Sequence, residues 1–440
     1  MYSRMVAQTT LFHQYPNEDI GDLVRIKYAL ENLGAEALID KLESDRGHGR
    51  NDYPVGTMFA IVVSQFVVQR LQVAQMRREL SGNPTLRKLV KLNDYERQML
   101  RRPLPIIPTN EAFTHFYDRL IENMNLIEEM FYSLRDDIYR IIPNFGMYVA
   151  GDGKYFDSYT PNMHHGMIAA DRRAEHDATY SKKVYTYTGT DGNKHSKTET
   201  HYGFRKHTLV DTETELPIAS VLTPANVDEK GVMSGIIDRL PENVVGQMRE
   251  LSLDRGYDST KLIEQVRHLG IIPIVDKRLM KKGNPLKQYK NTQFYYDDSG
   301  FFFFYDDSID KEGIDEETGH PFQYLRARYI GYDKVRECMR YEYGDQRVRV
   351  YIKDDPRTFN QIARDSEKYQ REYNRRTSVE RYHGRLDRDF CFETHTIRNI
   401  DKMQLMTLLA DCIILALAKA HHNLGQTNYA AIMDFCIPGL

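Results

Sequence analysis

At 440 residues, with 41% hydrophobic and 28% charged residues, the chain is long enough for two or three domains and is composed like a soluble globular protein. A net charge of −3 excludes a protein coated in basic residues, so any nucleic-acid contact has to rest on local patches. Cys338, Cys391, Cys412 and Cys436 are scattered with no CxxC pair, which argues against a zinc site or a disulfide framework and fits a reducing cytoplasm; the N-terminal MYSRMVAQ lacks the apolar run of a signal peptide.

Residues 1–100 read as helical. EDIGDLVRIKYALENLGAEALIDKLES carries apolar residues at helical spacing, broken at Gly34 into two short helices. VGTMFAIVVSQFVVQRLQVAQMRREL predicts one longer helix, apolar first and amphipathic later. SGNPTLRKLVKL predicts a turn and a short basic helix, and Arg101–Pro108 a rigid proline-bearing connector. Thr109 is placed to cap the helical stretch that runs to Ile142. This front end suits either DNA contact in helix-turn-helix style or a scaffold for assembly, and no side chain in it stands out as a base reader.

From residue 145 the pattern turns to strands. MYVAGDGKYF is a strand, KKVYTYTGTDGNK a second strand or a loop, and HYGFRKHTLVDTETELPIASVLT a hairpin turning at Thr212–Glu215. A helix (DEKGVMSGIIDRL), a strand (QMRELSLD), a helix (TKLIEQVRHLG) and a strand (IIPIVDK) follow, in the order β-β-β-α-β-α-β. Residues 285–355 are β-rich, with FFFF at 301–304 as aromatic core or interface and Asp306–Gly319 as a solvated acidic loop. The apolar stretches 57–68 and 403–418 contain Ser64, Gln65, Gln404 and Asp411. They read as buried helices, too short and too polar to span a bilayer, so no membrane partner is expected.

The most informative segment is YNRRTSVERYHGRLDR (373–388). As a helix it puts Tyr373, Arg376 and Glu380 on one face. A carboxylate can hold a divalent metal, and Arg and Tyr can hold a phosphate. From Arg364 to Arg388 there are eight Arg and Lys against five Asp and Glu, so the segment is locally basic. Asp152, between Gly151 and Gly153, and Asp254, before Arg255 and Gly256, each sit in or at the end of an apolar β-prone run, where a carboxylate is costly to bury alone. Clustered with Glu380 they suit two Mg²⁺ ions, with Mn²⁺ able to substitute, as in-line attack at phosphorus requires; oxygen-only donors fit those ions.

These segments resemble the DDE transposases of bacterial insertion sequences, in particular the group with a Tyr-x-x-Arg-x-x-x-Glu-x-x-x-x-x-x-Lys signature. Tyr373, Arg376 and Glu380 occupy its first three positions, GDGKYFDS (151–158) resembles the first-Asp motif and DRGYDS (254–259) the second. YGFRKHTLVD and LTPANVDE resemble the elements between them. The Lys position holds Asp387, and there is no Trp in the chain. The resemblance implies a mixed α/β fold (α+β and α/β): a ribonuclease-H-like catalytic core in which the first strand is central, Asp254 lies beside it and the Glu helix is near. The expected division is a helical N-terminal domain (1–144), the catalytic domain (145–284 and 356–425), a β-rich insertion (285–355) and a tail (426–440).

It further implies that Asp152, Asp254 and Glu380 are the catalytic metal ligands, that Tyr373, Arg376, Arg388 and Arg381 contact DNA, and that Arg388 supplies the cation missing at Asp387. Asp258 and Asp228 are expected to cap helices, Asp157 to be structural, and His207 to be a satisfied sheet histidine. The expected partners are double-stranded DNA, as terminal inverted repeats and target, and a second copy in a homodimer or larger synaptic complex. The expected setting is the bacterial cytoplasm, at the nucleoid. The function expected is cleavage of element ends and strand transfer. A stand-alone metal-dependent nuclease and a domesticated, non-catalytic DNA-binding protein are the alternatives.

Overall fold

The structure is a computed structural model, and it describes residues 20–46, 52–92, 105–160, 175–188, 194–277 and 285–429. The first half of the 101–108 connector, the pair His164-His165, Cys436 and the tail beyond 429 lie outside these residues.

The front end is helical, in short pieces. Helices α1 (Val24–Asn32) and α2 (Glu36–Arg46) part at Gly34. The single long helix expected over 55–80 is two: α3 (Val55–Val67) and α4 (Val73–Gly82). The cause is a left-handed Gln69 (φ 58°), whose N–H reaches Phe66 O while Arg70 N–H reaches Gln65 O, closing α3 as a glycine normally would. Helix α5 (Pro84–Leu89) follows. Thr109 caps α6 (Asn110–Glu122) as expected, its hydroxyl accepting from Ala112 N–H at 3.3 Å; Asn123 then separates α6 from α7 (Met124–Ile141).

The main sheet is built on β1 (Tyr148–Asp157), β2 (Thr179–Thr188), β3 (Lys194–Asp211), β4 (Pro217–Pro224), β5 (Glu250–Leu253) and β6 (Ile272–Val275). Strand β1 is central. It pairs antiparallel with the second half of β3 and parallel with β5, which pairs parallel with β6. Strand β4 covers the other edge of the same half of β3, and β2 pairs with β3's first half. Helices α8 (Glu229–Asp238), α9 (Glu242–Gln247) and α10 (Thr260–His268) make the crossovers. The later strands form two small sheets: β7 (Lys287–Gln288), β8 (Phe294–Tyr296), β9 (Phe302–Tyr305) and β10 (Tyr324–Arg326), then β11 (Arg328–Asp333), β12 (Cys338–Tyr343) and β13 (Gln346–Tyr351). Helices α11 (Glu367–Asn374), α12 (Thr377–Phe390) and α13 (Ile400–Asn423) close the described chain.

One apolar core runs from α1–α7 through the main sheet to α12 and α13, while β8, β9, β12 and β13 enclose a second core around Phe302, Phe304 and Tyr341. Phe302, Phe303 and Phe304 are buried, which fits the reading of FFFF as core. Helix α13 corrects the estimate of length made from the sequence. It has 24 residues and a window of mean hydropathy 1.7, enough by length and composition to cross a membrane, yet 83% of that window is buried inside the protein. Its one interior carboxylate, Asp411, is satisfied there by the Lys206 ammonium at 2.6 Å, the Ser220 hydroxyl at 2.9 Å and the Tyr382 hydroxyl. An unpaired buried charge would be costly; this paired one ties α13 to β3, β4 and α12.

Candidate active site

Two carboxylates meet because two strands are parallel and in register. Gly151 of β1 lies opposite Leu253 of β5, so the next residues, Asp152 and Asp254, stand side by side about 5 Å apart between adjacent strands. Both flanking glycines of Asp152 matter. A Cβ on Gly151 would strike Leu253 and Leu209 beneath the site, and one on Gly153 would strike the Arg205 guanidinium that crosses it. The Asp152 carboxylate accepts from Gly153 N–H at 2.7 Å, and that of Asp254 accepts from Gly256 N–H at 2.7 Å. Burial, and then the charge of Asp254, push Asp152 up to about 6.

The single helix expected over 373–388 is broken at Arg375 and Arg376: Tyr373 lies in α11, Arg376 is the N-cap of α12 and Glu380 lies in its first turn, and this stretch is fastened along β1 at two points. The Arg375 guanidinium stacks on the Tyr148 ring at 4.1 Å, and Asp387 accepts from the Lys154 ammonium at 2.5 Å. Glu380 lies on the stretch between these two ties, on a helix that packs against β1. Glu380 is half-exposed, and its carboxylate pairs with Arg376 at 2.7 Å. Arg376 in turn feels the charge of Asp152, and Tyr373 that of Asp254. The Tyr373 ring stacks parallel to Tyr369. Among the described residues no three His, Cys, Asp or Glu side chains converge closely enough to hold a metal together. The structure therefore brings Asp152 and Asp254 together and places Glu380 alongside, with its carboxylate turned to Arg376.

The other sequence candidates have partners within the chain. Arg381 pairs with Glu215 on the β3–β4 turn and donates to Thr377 Oγ1 at 2.8 Å. Arg388 is exposed and pairs with its neighbour Asp389 at 2.6 Å. Asp258 does not cap α10: it is buried in a two-pronged pair with Arg357 at 2.9 and 2.6 Å, holding the stem of the small sheets. Asp228 does cap α8, accepting from Gly231 N–H at 2.8 Å. Asp157 meets His201 at 2.9 Å. His207 is buried in the sheet against Thr223 Oγ1 at 3.1 Å, and burial drives its pKa down to about 3.

Three neighbours of the site escaped the sequence reading. Arg205 is buried against Glu229 and lies over the Tyr155 ring at 4.8 Å. Glu229 and Asp254 both face Gly256, where a Cβ would come within 2.6 Å of the first and 2.8 Å of the second. Lys154 lies two residues after Asp152, on the same side of the strand; that alternation was the available signal. Arg205 and Glu229 had none, because Arg205 reaches the site through the register of β3 against β1 and Glu229 through the placement of the α8 N-terminus.

A family model described as the transposase DDE domain matches residues 170–417. The chain belongs to the DDE transposase family. The match takes in Asp254 and Glu380 and begins after Asp152. A candidate transposase for insertion sequence element IS402 of Burkholderia cepacia is 32% identical over 91 residues, 19% of this chain and 43% of that protein. The chain thus spans less than half the length of this curated relative. A piggyBac transposase, solved by cryo-electron microscopy as a synaptic complex with hairpin DNA, is similar at a TM-score of 0.36 and 10% identity, over 94% of this chain and 78% of that one. DDE transposases as a family work with divalent metal ions. The donors here fit such an ion. Asp152 and Asp254 are adjacent oxygen ligands whose mutual repulsion a cation would relieve, and the Tyr257 hydroxyl beside them is buried with no hydrogen-bond partner.

Proposed function

We propose that this DDE transposase moves an insertion sequence: it cuts the element's ends and joins the freed 3′-hydroxyls to target DNA, through a ribonuclease-H-like core of the Tyr-Arg-Glu-Lys group. The carrying observation is the side-by-side pair Asp152 and Asp254, with Asp152 pushed up to about 6, beside the α11–α12 junction, which carries Tyr373 near the end of α11, Arg376 at the N-cap of α12 and Glu380 in its first turn. The strand order β4-β3-β1-β5-β6, with β1 central and β3 alone in that core antiparallel to both its neighbours, supports the ribonuclease-H-like reading. So does the second core of the β-rich residues, which supports an insertion between the last sheet strand and the Glu helix.

Asp152, Asp254 and Glu380 would hold the divalent ions, taken to be Mg²⁺ with Mn²⁺ able to substitute. Such ions supply positive charge that ionises the attacking hydroxyl and steadies the leaving oxygen. The chain's own groups position the DNA. Arg376 offers a guanidinium fork for a phosphate of the element's end, and a phosphate taken there frees the Glu380 carboxylate from its present partner. The Tyr373 hydroxyl donates beside it. Arg381 and Arg388 are further DNA contacts, for which a phosphate must compete with Glu215 and Asp389. Attack at the end and attack on the target are both in-line displacements at phosphorus, so one pocket serves both. Two ends cut in concert require two copies of the pocket, hence a homodimer or larger assembly, acting on the nucleoid in the bacterial cytoplasm.

The test is the product formed from labelled duplex carrying the element's terminal repeat, incubated with Mg²⁺ and a supercoiled target. Joined end–target molecules are expected. Nicking with no joining would make the protein a stand-alone nuclease, and binding with no cutting a domesticated DNA-binding protein.

A further inference from the structure

The small sheet β11–β12–β13 has one face on the second core and one face in solvent. Met339, Tyr341, Val348 and Val350 point inward, so Arg340, Glu342, Arg347 and Arg349 point outward by alternation. The outer face has two rows of different character. In one row the carboxylate of Glu342 sits between the Arg328 and Arg347 guanidiniums and pairs with both. In the next row Arg340 lies directly opposite Arg349, both exposed, and neither forms a salt bridge to a carboxylate among the described residues. Like charges opposite each other across antiparallel strands destabilise a sheet. The third strand makes room for this pair instead of neutralising it. Gly331, opposite Arg340, has a φ of 132°, and a Cβ there would come within 3.3 Å of the Arg340 guanidinium. From Tyr324 to Lys353 there are eight Arg and Lys against four Asp and Glu, in a chain of net charge −3.

We infer that this face is a second DNA contact, with Arg340 and Arg349 taking phosphates of the duplex backbone. The inference rests on the transposase reading and adds a surface to it. Repulsion between two unpaired guanidiniums is relieved when an anion lies between them, and a guanidinium fork matches phosphate oxygens. An exposed row of cations on a sheet face suits a backbone contact, which positions DNA without reading its sequence. The chain also carries an acidic loop, Asp306–Gly319, with seven Asp and Glu. A second copy of that loop is the competing occupant, and the experiment separates the two.

The full-length protein, its Arg340→Ala/Arg349→Ala variant and its Arg340→Lys/Arg349→Lys variant are titrated against a fluorescein-labelled mixed-sequence duplex. The titrations run from about 50 to 200 mM salt. The alanine variant should bind several-fold more weakly at the top of that range. Its slope of log K against log salt should be shallower by about 2, one contact per arginine at roughly 0.9 each. The lysine variant should keep most of the slope, and the alanine variant should melt at or above the wild-type temperature, because a like-charge pair has been removed. An unchanged slope in the alanine variant overturns the inference. An unchanged slope with a fall in mass by light scattering assigns the face to a second copy of the chain and overturns it too. Nicking and salt-dependent binding by the wild type, set against an unchanged slope in the variant, would leave the transposase reading standing. A wild type with no salt-dependent DNA binding would bring both down.

Discussion

Asp152 shows what the site costs the fold. Burial and the charge of Asp254 push the Asp152 pKa up to about 6, above the ordinary value of 3.8, so the folded state binds a proton more readily than the unfolded chain. The stability this represents is present below pH 4 and is lost as pH rises from about 4 to about 6. At neutral pH, without metal, Asp152 is an ionised group held against Asp254. Asp152→Asn should therefore melt higher than wild type at pH 7.5, by about 3 °C, and the gap should close near pH 4. Thermal melts in metal-free buffer across that range check this; a variant less stable than wild type at pH 7.5 would contradict it. The residue was legible in the sequence because a carboxylate between glycines in an apolar strand has few structural uses. Its neighbours were not: Arg205 reaches the site only through strand register and Glu229 only through the packing of α8, which no local pattern encodes.

The Glu helix is tied by Asp387 to Lys154, and the turn just before it by Arg375 on Tyr148. On the sequence alone, Asp387 is only the position where the signature lysine is missing, with Arg388 expected to supply its cation. The pair with Lys154 gives that carboxylate another task, fixing where Glu380 stands along β1. Asp387→Lys would set two ammonium groups against each other and loosen the helix. The expected result is a cleavage rate at saturating DNA lower by tenfold or more, while Kd for the DNA changes by about twofold or less. The swap Lys154→Asp/Asp387→Lys should restore much of the rate. A swap as slow as the single variant would show that the pair is not a positioning contact. Most elements were legible in the same way, by period and cap: Thr109, Asp228 and the Thr212–Glu215 turn fall where their side chains predict. The helix break at Gln69 was not, because a left-handed C-terminal residue is normally announced by glycine and here is glutamine. The exchange of Asp387's expected role for a tie to Lys154 was likewise invisible, since the partners are 233 residues apart.

At the scale of the molecule, the helical front end and the main sheet share one apolar core, whereas the later strands have their own. A change of composition near residue 145 marks the switch from helices to strands, and the long interval before Glu380 marks the extra sheets. Neither says which parts pack as a unit. That is decided by contacts such as Lys206 with Asp411, which fasten β3 to α13 across 205 residues. The consequence is a rigid seat for the candidate site: β1, β5 and α12 all rest on the same core, so Asp152, Asp254 and Glu380 can each be altered without dismantling the fold around them. The most direct measurement is Mg²⁺-dependent nicking of end DNA beside gel-shift binding, for wild type, Asp152→Asn, Asp254→Asn and Glu380→Gln. Each amide should lower nicking by roughly a thousandfold or more while binding stays close to wild type, because these groups position chemistry more than they supply affinity. Wild-type nicking in Asp152→Asn or Asp254→Asn would contradict the account at its centre, and wild-type nicking in Glu380→Gln would remove the helix residue from the site.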